Sequence, residues 1–307
     1  MRALVADIGG TNARFATAGA DGLGEPLILP TATPGLIEEA VARLGLPEAF
    51  CLAVAGPVRG GRASLTNIDL MIDGPALARS FDRPVRVIND FTAISYGMLA
   101  FDDLLTLGEG TARPDTPRAA IGPGSGCGMG VLVPTPGGWY AVASEGGHAD
   151  LAPGSALETE LWNHLSAAHG QVCWETVLSG SGLVRLYQAM CQVWGVQGER
   201  YAPEDITAHG VDASDPVCHQ TLETFFALLG TAAGSLAVLV CATGGVFIAG
   251  GIVPAMADFA VTSPLRRRFD ERGLMQELAR SIPLHIVRDG YPGLIGAHAY
   301  LEENADG

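Results

Sequence analysis

The chain reads as an α/β protein of two domains, and three observations predict this. Short apolar runs alternate with helical patterns through the first hundred residues, a polar and proline-containing stretch (GEGTARPDTPR, 108–118) interrupts them, and the same pattern then restarts. A length of 307 residues suffices for two such units, each with its own core.

Taken in order, ALVA and RFATA read as strands, IEEAVARL as a helix, FCLAVAG as a strand, and VRVIND as a strand leading into the helix TAISYGMLA. The restart resembles the beginning. Both ALVADIGGTNARFATA (3–18) and AAIGPGSGCGMGVLV (119–133) carry an apolar strand, a Gly-rich turn with a hydroxyl, and a second apolar strand. Two hairpins of one design point to a duplication.

Further on, 34 residues from Thr224 to Ala257 carry no charge, and Gly230 and Gly234 form a GxxxG pair, so hydropathy alone nominates a membrane helix. The pairs Gly244-Gly245 and Gly250-Gly251, Pro254, and the strand-like run VFIA favour a buried helix followed by a buried strand. No membrane partner is expected.

Composition removes several chemistries. The net charge of −15 lacks the basic footprint that nucleic acid requires. All 18 basic residues are arginine. A Walker lysine, a Schiff base and a lysine general base are therefore excluded. The six cysteines (51, 127, 173, 191, 218 and 241) are scattered singletons without metal-ligand spacing, which fits a reducing cytoplasm. The N-terminal apolar stretch is too short and too soon broken by Asp7 to act as a secretory signal.

A phosphate can be held without lysine. Successive backbone N–H groups in a glycine turn converge on a common concavity, and the missing Cβ permits close approach. Gly9, Gly10, Thr11 and Asn12 supply one such turn, and Gly122, Gly124, Ser125 and Gly126 the other. A carboxylate beside polyphosphate repels it unless a divalent cation intervenes, so Asp7 is the candidate ligand for Mg²⁺, through water. Alone, the first turn is equally a plain tight hairpin; the second makes phosphate binding the better reading.

Seven segments, DIGGTNAR, VINDFTA, GPGSGCG, SEGGHADLAP, ETVLSGSGL, GGVFIAGGIVP and YPGLIGA, occur in an order and spacing that resemble the bacterial glucokinases of the sugar kinase, Hsp70 and actin superfamily. The resemblance covers nearly the whole chain. It implies two ribonuclease H-like (actin-like ATPase) domains flanking a cleft, 1–107 with 288–307 and 108–287, with ATP and Mg²⁺ on the hairpins. The implied reaction is phosphorylation of glucose at its 6-hydroxyl by a cytoplasmic homodimer.

The resemblance also assigns roles. It makes Asp90 the general base, with a helix N-cap as the plain alternative. Asn89, Glu145, His148, Glu175 and the pair Thr66-Asn67 become sugar contacts. Local explanations also exist, since a charge near a helix start suits Glu175 and an Asx or ST turn suits 66–67. Gly250 and Gly251 match the adenosine side.

Two positions depart from the family pattern. Ser125 stands where threonine is usual, and Leu70 where tryptophan is common, which leaves another hexose such as mannose, glucosamine or fructose as an alternative substrate. The CxCGxxGC zinc segment of the related ROK group is missing, which aligns the chain with the non-zinc glucokinases. The rival from another class is a non-catalytic, actin-like ATP-binding module.

Overall fold

A computed structural model describes residues 2–65 and 70–305. The chain begins with strands β1 (Ala3–Ile8), β2 (Asn12–Gly19), β3 (Gly22–Leu23) and β4 (Leu27–Pro30), then helix α1 (Leu36–Leu44) and strand β5 (Ala49–Val54). A small meander β6 (Val58–Arg59), β7 (Arg62–Leu65) and β8 (Leu70–Asp73) precedes α2 (Gly74–Phe81), β9 (Val85–Asn89) and α3 (Asp90–Gly97). Strands β10 (Leu104–Leu107), β11 (Arg118–Pro123), β12 (Cys127–Thr135) and β13 (Gly138–Val142) follow. Next come α4 (Ala156–His169), α5 (Trp174–Val177), α6 (Gly180–Trp194), α7 (Pro203–Val211) and α8 (Pro216–Leu239). The chain closes with β14 (Val246–Ile248), α9 (Ala257–Thr262), α10 (Leu265–Asp270), α11 (Gln276–Ser281), β15 (Leu284–Val287) and α12 (Pro292–Glu303).

Contacts divide the chain into two units. The first comprises 1–102, 135–143 and 289–307, and the second 103–134 and 144–288. The polar stretch 108–118 thus lies inside the second unit, while the segment 135–143 clusters with the first.

In the first unit the sheet order is β3-β2-β1-β5-β9, with β4 also on β2. β1 is antiparallel to β2 and parallel to β5, and β5 is parallel to β9. Its centre is fully apolar because β1 and β5 are covered on both faces, as parallel strands require: Leu4, Val5, Ala6, Phe50, Leu52 and Val54 are all completely buried. The register pairs Ile8 with Val54 and Val54 with Asn89, so three carboxyl ends finish level. That edge is where open α/β sheets bind ligands.

Helix α12 packs along α3 in this unit. Contact is close because Gly296 lies against the Ala93 carbonyl, where any Cβ would collide with backbone. At its start, a Cβ on Gly293 would come within 2.6 Å of the Asp7 carboxyl carbon. The strand β13 is tied down by two bonds of the same unit. The Trp139 N–H donates to Glu303, and the Tyr96 hydroxyl donates to the Trp139 carbonyl.

The second unit repeats the pattern. β11 is antiparallel to β12 and parallel to β14, β14 is parallel to β15, and β10 closes the far edge. The uncharged segment becomes α8 and β14, as the glycine pairs and Pro254 predict. Phe225, Phe226, Leu229, Ala233 and Ala237 of α8 are buried in the main core. This helix is long and apolar enough to cross a membrane, but most of it is covered by the unit's own side chains.

Candidate active site

The first turn is built as the sequence predicts, between antiparallel strands and not before a helix. The Gly9 N–H donates to the Asn12 carbonyl at 3.1 Å, and Asp7 stands in register with Arg14. Thr31, at the end of β4, clamps the turn from behind. Its hydroxyl donates to the Gly9 carbonyl at 2.8 Å, and its N–H to the Thr11 carbonyl at 2.9 Å.

At Gly10, φ is not in the left-handed region, and an added Cβ would meet no atom within 4 Å. Neither backbone conformation nor packing within the protein requires glycine there.

Asp90 sits at the level end of β9, at the first position of α3. The helix cap is Asn89, not Asp90 as the plain alternative had it: the Asn89 carbonyl oxygen accepts from the N–H groups of Phe91 at 2.9 Å and Thr92 at 3.2 Å. Its amide nitrogen donates to the Gly56 carbonyl at 3.0 Å, and the same side chain also hydrogen-bonds the Asp90 carboxyl. Asp90 is not the cap, although its Oδ1 shares the Phe91 N–H with Asn89 at 2.9 Å.

Burial pushes the Asp90 carboxyl up to about 6, the hydrogen bond from the Phe91 N–H pulls the other way, and the charge of Asp7 adds to the rise. Asp7 is also raised by burial, against the opposing Arg14 guanidinium 3.4 Å away. A base that is ionised at neutral pH yet holds its proton more tightly than an ordinary aspartate suits abstraction of a proton from an alcohol.

In the second unit, the turn Gly124–Gly126 closes on itself, with the Gly124 N–H donating to the Gly126 carbonyl at 2.7 Å. Gly122 is not in the turn; it lies inside β11 opposite Gly128. Gly250 has φ +91° and packs so tightly on the Pro123 carbonyl that a side chain would collide with it. Gly251 beside it is open, since an added Cβ would meet no atom within 4 Å. The second turn and the 250–251 pair are therefore neighbours at one strand edge.

Of the three other predicted residues of this unit, Glu175 reaches the same turn, and the loop that carries Glu145 and His148 packs beside it. Gly147, between Glu145 and His148, presses against the Cys127 carbonyl. Glu145 and His148 are exposed at either end of this short 3₁₀ turn. The loop is stitched to the segment before α5: the Trp174 N–H donates to the Ala149 carbonyl at 3.1 Å and the Leu151 N–H to the Val172 carbonyl at 3.0 Å. Glu175 then reaches the hairpin itself, where its carboxylate accepts the Cys127 N–H at 2.8 Å. Ser125 lies at the tip of that turn, and Leu70 is half-buried opposite Leu65.

Thr66 and Asn67 lie outside the described residues. Sequence reasoning missed Thr31, Arg14 and Gly56. Arg14 was recoverable from the hairpin register, whereas Thr31 and Gly56 reach the site only through tertiary structure.

With this geometry in place, comparison with known proteins gives a consistent result. The family model for glucokinase matches residues 4–304. Glucokinase from Chromobacterium violaceum is 38% identical over 312 residues, covering 98% of this chain and 89% of that protein. A crystal structure of glucokinase from an Antarctic psychrotroph superposes with a TM-score of 0.90 at 34% identity, covering 98% of each chain. The glucokinase of Balamuthia mandrillaris in complex with glucose shares the fold, with a TM-score of 0.82 at 21% identity over 98% of this chain and 93% of that one. The chain belongs to the glucokinase family.

Proposed function

We propose that this protein transfers the γ-phosphoryl group of ATP to the 6-hydroxyl of glucose, with Asp90 as general base. The observation that carries the catalytic assignment is the Asp90 carboxyl, raised to about 6 at the carboxyl edge of the parallel strands β1, β5 and β9, one residue after the helix cap Asn89. Asp90 accepts the proton of the attacking hydroxyl while Asn89, Glu145, His148 and Glu175 orient the ring, joined in this reading by Thr66 and Asn67. The glycine turns at 9–12 and 124–126 present N–H groups to the phosphates, and Gly250-Gly251 leaves room for the adenosine.

Mg²⁺ fits the residues present. Asp7, next to last in β1 and with its carboxyl 3.4 Å from the Arg14 guanidinium, would be the protein anchor of an ion whose other ligands are phosphate oxygens and water. When bound, it supplies charge neutralisation of the triphosphate. Two ribonuclease H-like domains of the actin-like ATPase type flanking a cleft complete the reading, as do a cytoplasmic location and a homodimer.

The test is a dehydrogenase-coupled assay with ATP and a panel of glucose, mannose, glucosamine and fructose, alongside phosphate release without sugar. Glucose turnover far above the sugar-free rate is expected. Preference for another hexose redirects the substrate toward the alternative that Leu70 leaves open, and no turnover with any sugar returns the chain to a nucleotide-binding module.

A further inference from the structure

The least expected contact in the second unit joins a predicted sugar ligand to a predicted phosphate turn. Glu175 Oε2 accepts the Cys127 N–H at 2.8 Å, and it lies so close to Gly126 that a Cβ there would stand 2.5 Å from it. Cys127 begins β12 directly after the turn. Its N–H is thus directed at a carboxylate, opposite Pro123, which has no N–H of its own to complete the pair. The Cys127 thiol takes no part in chemistry, because burial and then the charge of Glu175 push it up to about 12.

Two facts set this contact against phosphate binding. A carboxylate on the rim of the turn repels an anion entering it, and it consumes the backbone donor that directly follows Gly126. Vicinal sugar hydroxyls that engage both carboxylate oxygens compete with the Cys127 N–H for Oε2.

We propose that Glu175 is a gate on the second phosphate turn: held on the Cys127 N–H it opposes polyphosphate, and drawn off by sugar hydroxyls it releases that donor and lets nucleotide settle. The inference rests on the sugar-kinase reading above. Glu175 thereby acts on the nucleotide through the hairpin as a positioning residue, in addition to its proposed contact with sugar. Binding of the two ligands is reciprocal by linkage, so glucose tightens nucleotide as much as nucleotide tightens glucose.

The structure around Glu175 makes the gate specific to this side chain. Its backbone is fixed, because the Ser179 hydroxyl donates to the Glu175 carbonyl at 2.9 Å and the Gly180 N–H donates to the Gly124 carbonyl at 2.9 Å. Turn and helix therefore hold together while the carboxylate swings. Replacement by glutamine keeps an oxygen acceptor for the Cys127 N–H and removes the charge; replacement by alanine removes both.

The test measures binding of the non-hydrolysable analogue AMPPNP with Mg²⁺ by calorimetry, with and without glucose, to wild type, Glu175→Ala and Glu175→Gln, each first shown to fold by its thermal transition. In wild type, glucose is expected to tighten AMPPNP about tenfold, within the usual range of coupling between sites. In Glu175→Ala, AMPPNP alone binds more tightly than to wild type and glucose changes it less than about twofold; Glu175→Gln falls between. Equal or weaker AMPPNP binding by sugar-free Glu175→Ala overturns the gate.

A second readout does not depend on nucleotide affinity. Selective ¹⁵N-cysteine labelling gives signals from six residues. The Cys127 amide is expected to shift on adding glucose alone, and to resonate without glucose in Glu175→Ala near its glucose-bound position. A Cys127 amide unmoved by saturating glucose in a wild-type protein that phosphorylates glucose overturns the gate and leaves the kinase reading standing. A wild-type protein that phosphorylates no sugar fails at the earlier step.

Discussion

Asp7 and Asp90 are two half-buried carboxylates of one unit, and the charge of the first raises the second. Asp90 is held at about 6 against an ordinary 3.8, mainly by burial, with Asp7 adding to the shift. The folded protein therefore binds this proton more tightly than the unfolded chain does. Ionised Asp90 opposes folding above pH 6, and this cost disappears as pH falls from about 6 toward 3.8. Asp90→Asn is expected to raise the melting temperature at pH 8, by a margin that shrinks to nothing near pH 4. Scanning calorimetry across that window checks it; a margin that grows toward low pH contradicts the assignment.

The same titration predicts the pH dependence of the reaction. A general base must be ionised, so kcat/KM for glucose should rise with pH through a limb centred near 6 and then level. Asp90→Asn should lower kcat by about 10²- to 10⁴-fold without loss of fold, because the cap of α3 belongs to Asn89. Rates from pH 5 to 8 with glucose varied at saturating ATP provide the measurement.

Gly10 and Gly250 separate two reasons for a glycine. Gly10→Ala meets no atom within 4 Å and no forbidden φ, so its melting temperature should equal the wild type's while KM for ATP rises about tenfold or more. Gly250→Ala must place a side chain at φ +91° and against the Pro123 carbonyl, so it should lose stability first, by about 1–3 kcal/mol. Urea midpoints and ATP kinetics on both variants distinguish them. Equal stability losses would remove the functional reading of Gly10.

These contrasts show what was legible in the sequence. The glycine turns were visible as turns because GGT and GPGSG runs each stand between two apolar strands and the design occurs twice, and the level strand ends follow from the repeated hairpin-plus-strand order. The uncharged 224–257 segment was assignable to the core because glycine pairs cut it. The capping role of Asn89 was hidden, since Asn and Asp both cap well and only the hydrogen bonds decide between them. The link between Glu175 and Cys127 spans 48 residues and left no local pattern to read.

Thr31 is the supporting residue that sequence reasoning had no means to find. It is 1% exposed and, directly after β4, fixes the carbonyl of Gly9, 22 residues earlier in the chain. Thr31→Val preserves its shape and deletes one donor, so a stability loss of about 1 kcal/mol is expected together with a several-fold higher KM for ATP and little change in KM for glucose. If KM for glucose shifts instead, the turn at 9–12 does not serve the nucleotide.

Arg268 and Glu158 form the buried ion pair of the second unit, with Nη1 to Oε1 at 2.5 Å and Nη2 to Oε2 at 3.1 Å. The pair is completed by the Thr231 hydroxyl on Nη2 at 2.8 Å and the Gly154 N–H on Oε2 at 2.6 Å. Because Gly154 ends the loop that begins with Glu145 and His148, the pair anchors that loop to α8 and α10. Arg268→Met leaves the buried Glu158 without its cation, which should cost about 3–5 kcal/mol. Arg268→Met with Glu158→Leu removes both charges and should recover part of that loss, although the Gly154 N–H loses its acceptor. Tryptophan fluorescence during urea unfolding reports on this unit, which holds Trp162, Trp174 and Trp194. A double variant no more stable than Arg268→Met would mean that losing the Gly154 bond costs as much as removing the unpaired carboxylate regains.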